Sequence, residues 1–437
     1  MKPKKSFIPL LFMGVIVLLA LFFPAIPGKS VVDDYNYADI AWMLTSTALV
    51  LFMTPGLAYF YGGMVRKKNV ISTMLQSFIC MVVVAVIWVV FGFSLVFGES
   101  IGGVIGNPMT FFMFQDVIGG KPWSGAPTIP LALFAMYQLK FAIIAPALIT
   151  GAFAERIRFT SYILFICLFF IVIYAPLAHA TWHPEGVLAQ LGVLDFAGGT
   201  VVHMSAGLTA LASAIYLKRG SDAGHHTPAR VTYVLLGTGM LWFGWFGFNA
   251  GSAFSASDLA ATAIATTSAA SAAAALTWIF FDAARGTKPS AMGTCIGLVV
   301  GLVAITPAAG FVTVPHSLII GAVAAIISRL VVDWRTKSKV DDTLDVFPCH
   351  GVGGMVGMLL TGVFAHKSIN DAVEHNGLFF GETSLFIAHV IGLIGATVFT
   401  LVAAFILLKV TDMISPLRVT AAEEEEGLDS TQHGERL

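Results

Sequence analysis

Two histidines stand inside apolar, glycine-rich segments, where ionisable side chains are costly and usually mark a path or a site. One closes the run Asp195-Phe-Ala-Gly-Gly-Thr-Val-Val-His203, and the other stands in Asp345-Val-Phe-Pro-Cys-His350-Gly-Val-Gly-Gly. Each precedes a glycine by four positions, Gly207 and Gly354, and each has an aspartate upstream on its own segment. Neutral imidazole both donates and accepts hydrogen bonds, and it titrates near neutral pH. A pair of them enclosed by lipid suits the handling of a small polar or protonated solute. Taken singly, either would be a satisfied core histidine. The matched placement and the flanking glycines, which let helices approach closely, argue for a path. An intramembrane metalloenzyme would need closely spaced ligands and a glutamate, as in H-E-x-x-H. Neither segment has such spacing, so no metal or other cofactor is expected.

Asp195 is read as the cap that opens its helix, and as a carboxylate whose negative potential favours a cation near the mouth. The stretch Trp242-Phe-Gly-Trp245-Phe-Gly-Phe248-Asn249-Ala-Gly-Ser252 ends another apolar run. An interfacial aromatic belt would account for the rings. The glycine spacing and the trailing Asn and Ser also fit a concave aromatic-and-hydroxyl pocket able to hold a small cation. Trp182 and Phe141 fall at the same depth on other runs. Lys140, beside Phe141, is expected to snorkel towards the outer surface. His225-His226, His179, His183, His366 and His375 fall in connections and are expected to be solvated.

The elements that must position these residues are membrane helices. Of 437 residues, 57% are hydrophobic and 11% charged, with a mean hydropathy of +0.85. Apolar runs near 20 residues long recur, each enough to cross a bilayer. Eleven spans are expected, at 38–62, 71–98, 130–152, 160–178, 194–217, 229–249, 258–281, 291–308, 312–333, 346–365 and 383–409. Many of the 43 glycines lie inside them, as in tightly packed membrane helices. Cys80, Cys167, Cys295 and Cys349 lack metal-ligand spacing and read as small buried hydrophobes.

The connections alternate in charge. Odd-numbered ones carry Arg66-Lys67-Lys68, Arg156 and Arg158, Lys218-Arg219 and Arg230, Arg285 and Lys288, then Arg335, Lys337 and Lys339. Even-numbered ones carry only Lys121 and Lys367. The positive-inside rule then puts the start of the eleven-helix core outside and the C-terminal tail in the cytoplasm, in the cell inner (plasma) membrane. Residues 1–28 begin Met-Lys-Pro-Lys-Lys and continue apolar, so they are read as a signal peptide, with a retained extra helix as the alternative. Residues 38–410 form the transmembrane domain and 411–437 a polar tail. The long connection 99–129, rich in Gly and Pro, is expected to pack against the bundle. The two histidine segments fall on the fifth and tenth spans, which suggests an inverted five-plus-five repeat with an additional eleventh helix.

At this point the chain resembles the ammonium transporters (Amt, Mep and the related Rh proteins), and the Amt branch in particular. The resemblance runs from about Ala38 to Arg436. It is carried by Tyr59-Phe-Tyr-Gly-Gly-Met-Val-Arg66, Gly151-Ala-Phe-Ala-Glu-Arg-Ile-Arg158, the two histidine segments, Trp245-Phe-Gly-Phe-Asn-Ala-Gly-Ser252, and the tail pattern Glu-Gly-Leu-Asp with His433-Gly-Glu. It implies an all-α integral membrane protein of eleven helices, assembled as a homotrimer with one pore per protomer. It also implies that Trp182, Ser252 and Phe141 recruit ammonium, with Trp245 supporting the vestibule. Phe141 and Phe248 would form a gate, His203 and His350 would line the pore, and Asp195 would be essential. A PII-type signalling protein would engage the tail, and ammonium and ammonia, the lipid bilayer and further copies of the chain would be the other partners, with no nucleic acid. The implied activity is transport rather than enzymatic turnover; a sensor of the same fold signalling through its tail is the alternative. Two departures stand out: the charge at Lys140, and a longer connection between Trp182 and Asp195, which includes His183-Pro-Glu-Gly186.

Overall fold

The computed structural model describes residues 7–27, 34–220 and 227–437. The basic start, Gly28 and the pair His225-His226 therefore lie outside the described residues. The chain is almost wholly helical, because backbone polar groups in a bilayer must bond within their own segment. In chain order the helices are α1 (Ile8–Phe22), α2 (Tyr37–Met64), α3 (Lys67–Phe97), α4 (Leu131–Phe153) and α5 (Phe159–Gln190). Then come α6 (Gly199–Leu217), α7 (Val231–Ala253), α8 (Asp258–Ala284), α9 (Ala291–Ile305), α10 (Val314–Lys337), α11 (Phe347–Phe364), α12 (Ser384–Ile414) and the short α13 (Ala421–Glu426).

Ten of these, α2 to α8 and α10 to α12, are long and apolar enough to cross a membrane. The expected span 291–308 is shorter than anticipated: α9 stops at Ile305, and Pro307 has no N–H with which to continue the helical bonding. The span expected at 383–409 runs on to Ile414. In α5 the continuous helix ends at Trp182, and a separate turn covers Val187–Gln190.

Helices approach closely where side chains are small. α2 lies along α7, and a Cβ on Gly237 would stand 2.4 Å from the Phe60 nitrogen. The outward face of α12 carries Ile387, Ile391, Ile394, Val398 and Val402, all exposed. Their spacing makes one apolar stripe suited to lipid. Helix α1 buries no residue; next to it Phe23 meets Phe112 edge to face at 5.2 Å.

The connection 99–129 does pack on the bundle, burying Val117, Ala126 and Ile129. It also holds two short antiparallel strands, Ser100–Ile101 and Ile105–Gly106. The polar tail is folded against the basic end of the bundle. There Asp429 accepts hydrogen bonds from the Ile71 and Ser72 amides at 3.1 and 2.8 Å.

Candidate functional site

Both histidines sit where the backbone switches to i→i+5 hydrogen bonding, at the starts of α6 (Gly199–Met204) and α11 (Phe347–Val352). The wider turn re-aims side chains and is frequent at functional sites. Asp195 does not stand at the helix start, as expected, but three residues before Gly198, which takes the cap position with φ 110°. From there its carboxylate accepts the amides of Gly198, Gly199 and Thr200 at 2.8, 2.6 and 2.8 Å. One side chain thus satisfies three of the orphan donors of a helix start. The side chain of His389 on α12 steadies the same loop. Its Nδ1–H donates to the Met358 carbonyl at 2.7 Å, and its Nε2 accepts the Leu194 amide at 3.1 Å.

The corresponding carboxylate of the second segment is Asp342 rather than Asp345. Asp342 accepts the Phe347 amide at 2.6 Å. It also precedes His350 by the same interval that separates Asp195 from His203. That shared spacing was the signal in the sequence. Asp345 instead turns to Arg335, with a shortest contact of 2.7 Å, and its backbone is left-handed at φ 56°. Burial pushes the Asp345 carboxyl up to about 7 against the pull of Arg335.

The two segments cross at glycine. A Cβ on Gly207 would lie 2.0 Å from the Gly351 nitrogen, and one on Gly354 would lie 3.0 Å from the Gly199 carbonyl oxygen. This contact brings His203 Nδ1 and His350 Nδ1 to 3.2 Å, with the rings 21° from parallel. One Nδ1 must donate to the other, so the rings share a proton position. Trp245 stacks on His203 at 5.4 Å and is itself fixed by an indole hydrogen bond to Thr306 at 2.9 Å.

Phe141 and Phe248 stack at 4.2 Å and 25°. On the histidine side of this pair is a void of about 10 Å³ touched by Phe248, Trp245, His203 and His350, room for roughly one water-sized molecule. On the other side, at the end opposite the basic connections, is an open cavity of about 140 Å³ that Phe141, Trp182 and Ser252 share. Trp182 meets Phe141 edge-on at 5.9 Å and donates its indole N–H to the Asp195 carbonyl at 3.1 Å. Ser252 donates to the Phe248 carbonyl at 2.9 Å, leaving its lone pairs to the cavity. Phe141, Trp182 and Ser252 thus border the cavity, Trp245, Phe248, His203 and His350 border the void, and the stacked Phe141–Phe248 pair joins the two.

Seven further residues line the cavity and were not anticipated, among them Trp123, Phe134, Gln138 and Phe254. Trp123 and Phe134 stack at 5.5 Å and 13°. Nothing in the local sequence of the long connection signals Trp123, because only the fold returns it to the bundle.

Lys140 is 8% exposed and lies on α4, the most enclosed of the spans. The expectation of solvated histidines in the connections fails at two positions. His179 and His183 are not solvated: they stack on each other at 4.3 Å, and both are buried. His179 donates from Nδ1 to the Val96 carbonyl and accepts from Ser100, both at 2.8 Å, so it pins the long connection to the end of α5. Among the described residues no group of three or more His, Cys, Asp or Glu is placed to hold a metal.

Comparison with known proteins gives one answer. The family model described as Ammonium Transporter Family matches residues 41–436. A putative ammonium transporter of Methanothermobacter thermautotrophicus is 45% identical over 92% of this chain and 98% of its own length. An ammonium transporter of Bacillus subtilis is 42% identical over 91% and 98%. Among solved structures, Candida albicans Mep2 superposes with a TM-score of 0.84 at 35% identity, covering 90% of this chain and 88% of its own. A structure named Sensor Amt Protein gives 0.82 at 28%, covering 91% and 98%. The relatives are transporters and not enzymes, and this chain, a multi-pass membrane protein of about ten apolar helices, belongs to the ammonium transporter family.

Proposed function

We propose that this protein recruits NH4+ in the aromatic cavity, strips it of a proton, and conducts NH3 past His203 and His350. The observation that carries this reading is the stacked pair Phe141 and Phe248, which divides an aromatic-and-hydroxyl cavity from a histidine-lined void. Cation–π contacts with Trp182 and Phe141 contribute about 0.5–2 kcal/mol each, and Ser252 supplies an oxygen acceptor. Carrying an unpaired charge through a dry aromatic constriction costs far more, of order several kcal/mol even after relaxation. The neutral form escapes that cost, so the proton is lost before the rings. Size alone separates NH4+ poorly from K+; hydrogen-bond donation and proton loss separate them well.

Beyond the rings, NH3 meets the Nε2 of His203, which has no hydrogen-bond partner among the described residues. The imidazole pair either hydrogen-bonds NH3 or relays the departed proton. Asp195, through its three amide contacts, holds the loop that presents Trp182 and His203 in register. Trp245 supports the vestibule and the first histidine together. The eleven-helix protomer with an inverted repeat, the homotrimer, the plasma-membrane location with the tail in the cytoplasm, the signal peptide in residues 1–28 and a PII-type partner at the tail are part of the same proposal. The alternation of basic connections supports the orientation.

Reconstitution in liposomes with an ammonium concentration jump, recording current and internal pH, tests the reading. Ammonium-dependent flux is expected. Absence of flux from correctly folded protein would favour the second reading, a sensor, which the likeness to the structure named Sensor Amt Protein brings forward.

A further inference from the structure

Part of the vestibule wall comes from two segments that are distant in sequence. Trp123 and Gly125 belong to the long connection 99–129, and Ser252 and Phe254 to the end of α7 and the turn after it. Both segments are tied to one carboxylate near the start of α2. Asp39 is 5% exposed. Its Oδ2 accepts the Thr128 hydroxyl at 2.6 Å, and its Oδ1 accepts the Ala256 amide at 2.8 Å. Neighbouring bonds tie α2 to the same two segments. The Asn36 amide donates to the Thr128 carbonyl at 3.0 Å, and the Trp42 indole N–H donates to the Ala250 carbonyl at 3.4 Å.

The carboxylate is the centre of this clamp, because hydrogen bonds to a charged acceptor are the strong ones. What the clamp holds is placement. Phe254 has a left-handed backbone, with φ 54° and ψ 13°. A phenylalanine keeps that conformation only where its surroundings enforce it. The bond from Asp39 to the Ala256 amide, two residues on, fixes the far side of the turn. So held, the Phe254 ring meets Phe134 at 5.3 Å and Tyr137 at 5.9 Å. From the other segment, Trp123 stacks on the same Phe134. A ring attracts a cation appreciably only within about 6 Å of its centre. Displacing this wall therefore weakens binding without touching the Phe141–Phe248 pair or the histidines. Asp39 is not among the described residues that line the cavity, so it acts through those it holds.

We propose that Asp39 is a positioning residue of the vestibule, which clamps the two segments of its wall and so sets the affinity for ammonium rather than the rate of passage at the histidines. This inference rests on the transport reading above. The carboxylate supplies geometry here, through its two acceptor oxygens. An asparagine in its place can still accept the Ala256 amide, and its own amide can donate to the Thr128 hydroxyl oxygen. An alanine can do neither.

The experiment compares wild type, Asp39→Ala, Asp39→Asn and Thr128→Val in liposomes, recording current against ammonium chloride concentration. In parallel, detergent-purified protein is titrated with ammonium chloride to find the concentration giving half the thermal shift, with potassium chloride as the reference. Asp39→Ala should raise half-saturating ammonium about tenfold or more and leave the maximal current within about twofold of wild type. Asp39→Asn should stay within about threefold of wild type. Thr128→Val removes one bond and keeps the shape, so its half-saturation should rise about three- to tenfold. Wild-type half-saturation in Asp39→Ala overturns the inference. So does a loss of maximal current with half-saturation unchanged, which would confine Asp39 to the fold or the path. Asp39→Asn as weak as the alanine variant overturns it too, since charge would then be what counts. If Asp39→Ala does not fold, Thr128→Val decides, and wild-type half-saturation there is the overturning result. A wild type without ammonium current would instead sink the transport reading. The thermal shifts would then decide the inference by the same ordering, and their absence would overturn it.

Discussion

His203 and His350 lie at hydrogen-bond distance through Nδ1, at 3.2 Å, beneath a closed pair of phenyl rings. If they handle NH3 or its proton, His203→Ala and His350→Ala should each lower ammonium current by about tenfold or more, or admit K+. Truncation in a packed core costs about 2–5 kcal/mol, so fold must be checked by gel filtration alongside current and K+ leak. Unchanged ammonium-selective transport in both variants would remove the pair from the mechanism. At this scale the sequence is legible where a residue is improbable. A histidine in an apolar helix, or an aspartate before Gly-Gly-Thr, stands out at once. Gln138, Asp342 and His389 did not stand out. Gln138 sits in a span buried on nearly all sides, so no periodicity separates its cavity-facing position from a packed one. His389 acts on Leu194 across a long stretch of chain, a contact that only the fold creates.

The elements that hold the pair are α6 and α11, and their closeness is a property of glycine. A Cβ at Gly207 would overlap the Gly351 backbone at 2.0 Å, with no flexible side chain to give way. Gly207→Ala should separate the helices, cost at least about 1–3 kcal/mol and lower the current. Gly395→Ala on α12, where nothing lies within 4 Å, should leave both unchanged. Equal behaviour of the two variants would show that the crossing does not set the histidine geometry. The connection before α11 carries a pH signature. Burial raises the Asp345 carboxyl from its usual range to about 7. The folded state thus keeps a proton that the unfolded chain has released. The contribution of Asp345 to stability is complete below about pH 4 and is lost as pH rises towards about 7. The apparent Tm of wild type minus that of Asp345→Asn should therefore fall between pH 5 and 7 and level off above 8. A constant difference would contradict the buried carboxyl. Spans were readable from hydropathy to within a few residues. Their ends were less so, because Pro307 and the i→i+5 turns act through backbone bonding that hydropathy does not register.

Across the whole molecule, the least anticipated feature is how firmly the polar tail is held. A run such as Glu423-Glu-Glu-Glu426 is usually no more than a solvated segment. Instead Thr420 and Glu423 form a capping box for α13, Arg418 pairs with Glu424 at 2.6 Å, and Asp429 caps the start of α3. Composition could not show this, since docking depends on donors left free at a helix start far away in sequence. Gly427 makes the docking possible. Its φ of 110° suits glycine, and a Cβ there would stand 2.6 Å from Lys68 Cβ and 2.7 Å from the Lys68 carbonyl oxygen. Beside it, the Leu428 amide donates to Asn69 at 2.8 Å. A regulator acting through the tail would therefore bias a docked and a released state, and Gly427→Ala should favour release. Asp429→Ala should act in the same direction by removing two charge-assisted bonds, worth about 1.5–3 kcal/mol each. Limited proteolysis of the purified protein reads the effect. Cleavage after Arg418 should be slow in wild type and about tenfold faster or more in either variant, while the transmembrane core stays intact. Current measured on the same preparations then separates two roles. If release changes flux, the docked tail holds the pore in one state. If flux is unchanged while cleavage accelerates, the tail is a landing surface only, and control would require the partner itself.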